Sequence, residues 1–138
     1  MKIAFSNIMK LRFPVLVTAA FLLLSAHGFS DEIIESYTAR LSARDHFSSR
    51  GERLQSAAAI IRQDRANYYV YNLRDEEDEP DAFFANKANR ERLEQMLEHG
   101  SSQPSAVRRV VNGTPLIKVL IFKNSSGGTY INVTVISD

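Results

Sequence analysis

The sequence predicts an α+β domain in which a three-stranded, mainly antiparallel sheet carries helices on one face, in the order β-α-α-α-β-β. Three observations favour this class. A segment with a period of two residues comes first, a stripe of apolar residues at helical spacing follows, and two β-branched runs separated by a glycine-containing turn close the chain. Length and the absence of a low-complexity linker indicate a single domain over residues 29–138.

The first strand and the long helix are predicted from their periods. In residues 34–42, Tyr37, Ala39 and Leu41 alternate with polar side chains, which is typical of a strand with one buried face. The serine and glutamate of residues 49–52 have the spacing of a capping box. An apolar stripe with one arginine follows at intervals of three and four: Leu54, Ala58, Ile61, Arg65 and Tyr68. We therefore expect a helix over residues 52–70.

The remaining elements are predicted from their caps and turns. Asn86 is a good N-cap for a second helix that ends at Gly100, where glycine suits a left-handed cap. Pro104 suits the first turn of a third helix, which residues 112–113 end. The β-branched runs 116–122 and 130–136 predict a hairpin. The sequence leaves open which edge of this hairpin the first strand joins, and an open edge at 130–136 would allow homodimer formation.

Residues 1–28 have the features of a secretory signal peptide. Lys2, Lys10 and Arg12 precede an apolar run over residues 15–24, and small residues follow at a spacing that signal peptidase recognises. The run is shorter than the roughly 20 residues that a membrane-spanning helix needs. An uncleaved N-terminal anchor is the alternative to a cleaved signal. We expect cleavage after Gly28 or Ser30 and a periplasmic or secreted protein in a bacterium, with no stable membrane insertion after cleavage.

Removal of the signal changes the charge. The whole chain has 17 basic and 16 acidic residues, and the signal contributes three of the basic ones, so the processed chain has a net charge of −2. A protein near neutrality has no overall field that would attract nucleic acid. The sequence also has no cysteine, which excludes disulfides, thiolate metal sites and thiol nucleophiles.

Residues 44–49 bring an acid, an imidazole and hydroxyls together in sequence. A hydrolase would use His46 as the base, Asp45 to orient it, and Ser48 or Ser49 as the nucleophile. Neighbouring residues of an extended chain point to opposite sides, and the chain has no Gly-x-Ser-x-Gly elbow. The hydrolase is therefore an alternative to a strand-to-helix turn with bonded side chains.

Residues 75–81 contain six acidic residues in seven positions, broken by a proline. A calcium site would use Asp75, Glu77, Asp78 and Asp81, because carboxylate oxygens are the ligands that calcium prefers. The segment lacks the glycine and the alternating ligand pattern of an EF-hand, so a solvated acidic loop is the ordinary interpretation. No spacing in the chain favours a zinc site or another cofactor.

The polar side of the long helix is the main candidate for ligand binding. Arg65 lies on the apolar stripe, where an unpaired charge is costly, so it either forms a structural ion pair or opens into a pocket. With Arg44 or Arg90, it would bind a carboxylate or phosphate. Tyrosines next to arginine are typical both of interfaces and of a core edge. Three tyrosines lie in this part of the chain: Tyr68, Tyr69 and Tyr71.

Residues 37–42, 45–46, 51–54 and 59–67 together resemble small exported proteins of Gram-negative bacteria to which no activity is attached. The resemblance lies within residues 37–67 and implies a periplasmic setting, without assigning catalytic residues. We expect a small, exported, non-catalytic binding or accessory protein of the bacterial envelope, whose ligand is a protein partner or a small anionic molecule. The hydrolase and the calcium-binding protein are the alternatives.

Overall fold

The computed structural model describes residues 30–138, so the predicted signal peptide lies outside the described residues. The elements are β1 (Glu32–Arg40), a 3₁₀ turn (Ala43–His46), α1 (Ala57–Tyr69), α2 (Lys87–Glu91), α3 (Leu93–Glu98), α4 (Pro104–Asn112), β2 (Leu116–Lys123) and β3 (Thr129–Ser137). The predicted α+β class is confirmed, and the strands and helices follow in the predicted order. Within residues 30–138, no helix is both long and apolar enough to cross a membrane.

The sheet has the strand order β1-β2-β3, and both pairs are antiparallel. The first strand therefore joins the free edge of β2, a choice that the sequence had left open. Tyr37, Val119 and Val133 face one another across the three strands and are all buried. The helices contribute the other half of this single core, with Ile61 and Leu93 among its fully buried side chains.

Loops of the same chain cover part of each sheet edge. On the β1 edge, the Thr38 carbonyl accepts a hydrogen bond from the Glu79 amide (2.8 Å), and the Thr38 amide donates to the Glu79 carboxylate (2.7 Å). On the β3 edge, the Val133 amide donates to the Ser102 hydroxyl at 2.8 Å. Occupied edge groups cannot pair with a second chain, so strand addition along residues 130–136 has only part of the edge to use.

The long helix begins later than predicted, and the expected capping box at residues 49–52 was wrong. The N-cap is Ser56, whose hydroxyl accepts from the Ala59 amide at 3.2 Å. Upstream, Gly51 has a φ of +80°, a left-handed conformation that glycine adopts readily and that a helix excludes. The Leu54 amide bonds to the distant His46 carbonyl at 2.8 Å, which holds this segment in a turn instead of a helix.

The second predicted helix is divided into α2 and α3 at Arg92, whose backbone (φ −90°, ψ 0°) interrupts the α-helical geometry. Its predicted N-cap is present, since the Asn86 side chain accepts from the Ala88 amide. Gly100 follows α3 for a different reason than we predicted. A Cβ on Gly100 would lie 1.8 Å from the Ile131 carbonyl oxygen, so glycine permits the backbone to approach β3 closely.

Candidate functional site

Arg65, the leading candidate for ligand binding, lies inside the protein with none of its surface exposed. Its Nε donates to the Asp64 carboxylate at 2.7 Å. Its Nη1 donates to the Asp81 carboxylate at 3.1 Å and to the Glu79 carbonyl at 2.9 Å. Arg65 therefore fastens the acidic loop to α1, and a ligand in solvent has no access to it.

The tyrosines that accompany Arg65 belong to the same buried cluster. The guanidinium carbon lies 4.2 Å from the centre of the Tyr37 ring and 4.8 Å from that of Tyr68, and both rings are buried. Such stacking on aromatic faces favours a cation that has left water. The Tyr69 hydroxyl donates to the Asp81 carboxylate at 3.0 Å. The arginine and tyrosine side chains of α1 thus form an internal structure, with Tyr69 at its half-buried border.

Burial controls the protonation of this cluster. It raises the pKa of Asp64 to about 8, because the neighbouring Arg65 offsets only part of the desolvation of the carboxylate. Burial likewise raises the pKa of Tyr69 to about 12 and that of Tyr37 well above its usual value. Burial thus opposes the charged form of all three acidic groups, and Arg65 is the cation that counters this effect at Asp64.

The other two candidate arginines have different environments. Arg90 is buried, and its Nη1 donates to the carbonyls of Phe84 (2.6 Å) and Ala85 (3.0 Å), which fixes the turn before α2. Arg44 lies at the surface, with 42% of its side chain exposed, and donates to the Asp75 carboxylate at 3.0 Å. Of the three arginines predicted to bind a ligand, Arg44 alone can reach one.

The hydrolase residues do not form a catalytic array. His46 is 3% exposed, and its two ring nitrogens face the carbonyls of Ser42 (3.0 Å) and Val110 (2.9 Å). The Asp45 carboxylate turns away from the imidazole and accepts from Ser42 and Asn67, and its burial raises its pKa. The geometry therefore gives His46 and Asp45 structural bonds where a hydrolase needs a base aimed at a nucleophile.

The candidate nucleophiles are also engaged or displaced. The Ser48 hydroxyl accepts from the backbone amides of Arg50 (3.3 Å) and Glu52 (3.2 Å), which stabilises the turn. Ser49 lies on the outside of the same turn and is exposed. Within residues 30–138, neither hydroxyl is bonded to the His46 ring.

Each carboxylate proposed for calcium has a different partner. Asp75 pairs with Arg44, and Glu77 with Arg40, both at 3.0 Å. Asp78 accepts from the backbone amides of residues 40 and 75, and Asp81 holds Arg65. Among the described residues, no group of three or more acidic or histidine side chains is arranged to hold a metal ion. The acidic loop instead fastens the edge of β1 to α1.

A groove beside α1 is the candidate functional site. Its walls carry three large apolar side chains that remain substantially exposed: Phe47 (41%), Tyr71 (51%) and Leu73 (46%). Its polar lining comes from five residues, Arg44, Ser48, Ser49, Gln63 and Asn67. We call these eight residues and the volume of about 390 Å³ that they enclose the apolar groove. Exposed apolar groups that cluster in a concavity are typical of binding sites.

Two backbone turns hold the walls of the apolar groove. Phe47 is fixed by an isolated antiparallel bridge to Arg53, across the turn that contains Ser48 and Ser49. On the other wall, Asn72 adopts a left-handed conformation (φ 54°) just after α1, and the Leu73 amide donates to the Asn67 carbonyl at 2.8 Å. The exposed side chains therefore project from hydrogen-bonded backbone.

The floor of the apolar groove is a chain of hydrogen bonds. The Gln63 amide donates to the Asn67 side-chain oxygen at 2.9 Å, and Asn67 donates to Asp45 at 2.8 Å. Both amides lie one turn apart on α1, so the helix sets their spacing. Asp45, a candidate catalytic residue in the hydrolase hypothesis, thus orients the floor from below.

Sequence reasoning considered Tyr71 as one of three tyrosines beside an arginine, but it missed Phe47 and Leu73. Phe47 lies in a turn, and Tyr71 and Leu73 lie between α1 and the acidic loop, so none belongs to a periodic stripe. Isolated apolar residues in irregular segments are normally assigned to the core. Their exposure follows from the two turns, which depend on distant hydrogen bonds. The useful sequence signal was the apolar character of residues 70–73, immediately after a helix and before a charged loop.

A second concavity, of about 600 Å³, lies between α3 and the β2–β3 turn. Its polar walls are bonded to one another: Arg92 donates to Thr129 at 3.0 Å, and the Tyr130 hydroxyl donates to Asp31 at 2.7 Å. Only Met96 adds a large buried apolar side chain. The apolar groove is the better candidate, because it combines exposed apolar walls with an oriented polar floor.

The fold and the apolar groove together define an α+β domain with a concave surface that carries exposed apolar side chains. Comparisons with protein-family models, curated proteins and solved structures find no match for this chain.

Proposed function

We propose that this protein is a small exported binding or accessory protein of the bacterial envelope, which holds a partner protein in the apolar groove without catalysing a reaction. The observation that carries the proposal is the exposure of Phe47, Tyr71 and Leu73 around one concavity. Aromatic and arginine side chains supply much of the binding energy at protein interfaces. Burial of these three side chains by a partner would remove apolar surface from water.

The rigidity of the apolar groove supports the proposal. Its walls and floor are already fixed by hydrogen bonds, including the one at 2.8 Å between the Leu73 amide and the Asn67 carbonyl. A preformed surface loses little conformational entropy on binding, so more of the contact energy appears as affinity. The Gln63 amide at the floor is half-buried and can exchange hydrogen bonds with a polypeptide backbone, whereas Asn67 is buried and holds Gln63 in place.

A catalytic role has less support than binding. His46 and Asp45 are buried in structural hydrogen bonds, and the two serines of the turn lie without a base beside them. A hydrolase needs a nucleophile and a base within hydrogen-bonding distance. A small anionic ligand at Arg44 is the alternative within the binding class, and thermal-shift measurements with phosphate and acetate test it separately.

Site-specific photo-crosslinking in the envelope of the native bacterium tests the partner. A crosslinking amino acid replaces Tyr71, and the matched control replaces Ile136, which is equally exposed (53%) at the end of β3. We expect discrete protein adducts from position 71 that are absent from position 136. The Phe47→Ser substitution should remove those adducts. Identical adducts from both positions, or none from position 71, would refute the groove as the binding site.

Export is tested independently of binding. The full chain and a chain without residues 1–28 are each fused to alkaline phosphatase, which is active only in an oxidising compartment. We expect activity from the full-length fusion alone, together with a mass that corresponds to cleavage after Gly28 or Ser30. Equal inactivity of the two fusions would contradict the envelope location and leave the binding experiment unaffected.

A further inference from the structure

We infer that the partner segment that occupies the apolar groove is acidic as well as apolar, an inference that rests on the proposed function. The groove is lined by residues of two chain segments, 44–49 and 63–73. Together with the residues that flank them, over 44–53 and 62–76, these segments expose five arginines and two acidic residues, Glu52 and Glu76, while Asp75 is partly buried and paired with Arg44. The five are Arg44, Arg50, Arg53, Arg62 and Arg74. The other two acidic residues of these segments, Asp45 and Asp64, are buried.

Three of these arginines are held against residues in or beside the apolar groove. Arg44 is part of the lining. The guanidinium of Arg53 lies over the ring of Phe47, 5.5 Å from its centre. Arg74 follows Leu73 and stacks on the buried Tyr68 at 4.1 Å. The contact with Phe47 keeps the Arg53 cation against an apolar wall, so a ligand that covers this wall also meets positive charge.

The protein itself shows how Arg44 receives a carboxylate. Asp75 lies just beyond the second groove segment, and its Oδ1 accepts from Arg44 Nη2 at 3.0 Å. Arg44 Nε donates to the Ser42 hydroxyl at 3.3 Å, and within residues 30–138 its Nη1 makes no hydrogen bond. A guanidinium has five N–H donors, so this side chain can hold a second carboxylate beside the first.

The positive charge is local to this face. The processed chain carries a net charge of −2, so its overall charge does not attract an acidic partner, whereas the arginines around the groove do. An anionic membrane surface also combines negative charge with apolar groups. The concave shape favours a protein segment, because a flat bilayer would cover the walls without reaching the Gln63 amide at the floor.

Fluorescence anisotropy with designed peptides tests the inference. The probe is a short labelled peptide in which Glu alternates with Leu and Phe, and two matched peptides carry Lys in place of Glu or Ser in place of the apolar residues. We expect the acidic apolar probe to bind at least about tenfold more tightly than either matched peptide, and its affinity to fall as salt is added. Equal binding of the lysine peptide, or no binding of the acidic probe, would overturn the inference.

Variants of the protein locate the charge effect. Arg44→Glu should weaken probe binding by about tenfold or more, and Arg44→Gln by less, because reversal adds repulsion to the loss of attraction. Arg108→Glu, at an exposed arginine on α4, is the matched control and should leave the affinity unchanged. Asp75→Asn removes the internal competitor and should tighten binding. Equal weakening by the Arg108 and Arg44 reversals would refute a local site.

Three further outcomes separate this inference from the proposed function. In the first outcome, position 71 crosslinks to a protein, but probe affinity does not change with the charge of residue 44. This result would keep the groove as a binding site and refute an acidic partner. Failure of Tyr71→Ser to weaken the acidic probe would show that charge acts outside the groove and would overturn the inference. Phosphatidylglycerol vesicles are the third test. If they displace the bound probe, and if the affinity of the protein for the vesicles is unchanged by Tyr71→Ser, the arginines bind a membrane surface and the inference is refuted.

Discussion

Replacement of Arg65 by methionine tests whether the buried cluster stabilises the fold. Methionine keeps most of the length of the side chain and removes its charge and donors. Arg65 is fully buried, and its Nε and Nη1 make ion pairs with Asp64 at 2.7 Å and Asp81 at 3.1 Å. The substitution leaves two carboxylates and the Glu79 carbonyl in the interior without the donor that the fold provides for them.

The expected cost follows from that burial. Removal of one partner from a buried ion pair typically destabilises a protein by about 3–5 kcal/mol, because the remaining charge is left desolvated. A domain of this size has a total stability of about 5–15 kcal/mol, so the variant should fold with a much reduced melting temperature. Arg44→Met breaks a surface pair whose arginine side chain is 42% exposed. Such pairs are worth at most about 1 kcal/mol, which makes this variant the matched control.

Urea denaturation of residues 29–138, followed by circular dichroism, measures both variants. We expect a loss of about 3 kcal/mol or more for Arg65→Met and of less than about 1 kcal/mol for Arg44→Met. Addition of Asp81→Asn to the Arg65 variant should recover part of the loss, since it removes the charge that was left unpaired. A cost below about 1 kcal/mol for Arg65→Met would refute the structural role of the cluster.

Three other predictions concern the stability of the fold. The raised pKa of Asp64 means that the native state binds a proton more tightly than the unfolded chain, so this group's contribution to stability is lost as the pH rises from 3.8 to about 8. Urea denaturation at several pH values should show the free energy of unfolding falling over this range. An Asp64→Asn variant with the same fall would contradict the assignment of the effect to Asp64. Millimolar calcium or EDTA should leave the melting temperature unchanged, because the carboxylates of residues 75–81 have separate partners; a shift of several degrees would revive the calcium site. Gly100→Ala should destabilise by about 1–3 kcal/mol through overpacking against Ile131, and a melting temperature equal to wild type would show that α3 moves away from β3 without cost.

The elements that could be predicted from sequence depend on local chemistry. The alternation around Tyr37 and the β-branched runs of the hairpin appear as strands because their period matches the pleat of a sheet. Asn86 and Pro104 mark helix starts because a cap needs only its own neighbours. The start of α1 was predicted wrongly because the prediction considered local chemistry alone. Residues 49–52 have a capping pattern, but a hydrogen bond between the Leu54 amide and the His46 carbonyl holds this segment in a turn.

The residues of the candidate site divide in the same way. The sequence by itself determined that Arg65 needs partners, because its apolar stripe makes an unpaired charge costly, and it identified Arg44 as a possible anion contact. Only the tertiary structure decided that Arg65 pairs internally with Asp81, 16 residues away, while Arg44 stays at the surface. The exposure of Phe47 and Tyr71 was decided there too. Local pattern sets an element's period, whereas burial depends on which distant segments pack against it, and one sequence does not contain those distances.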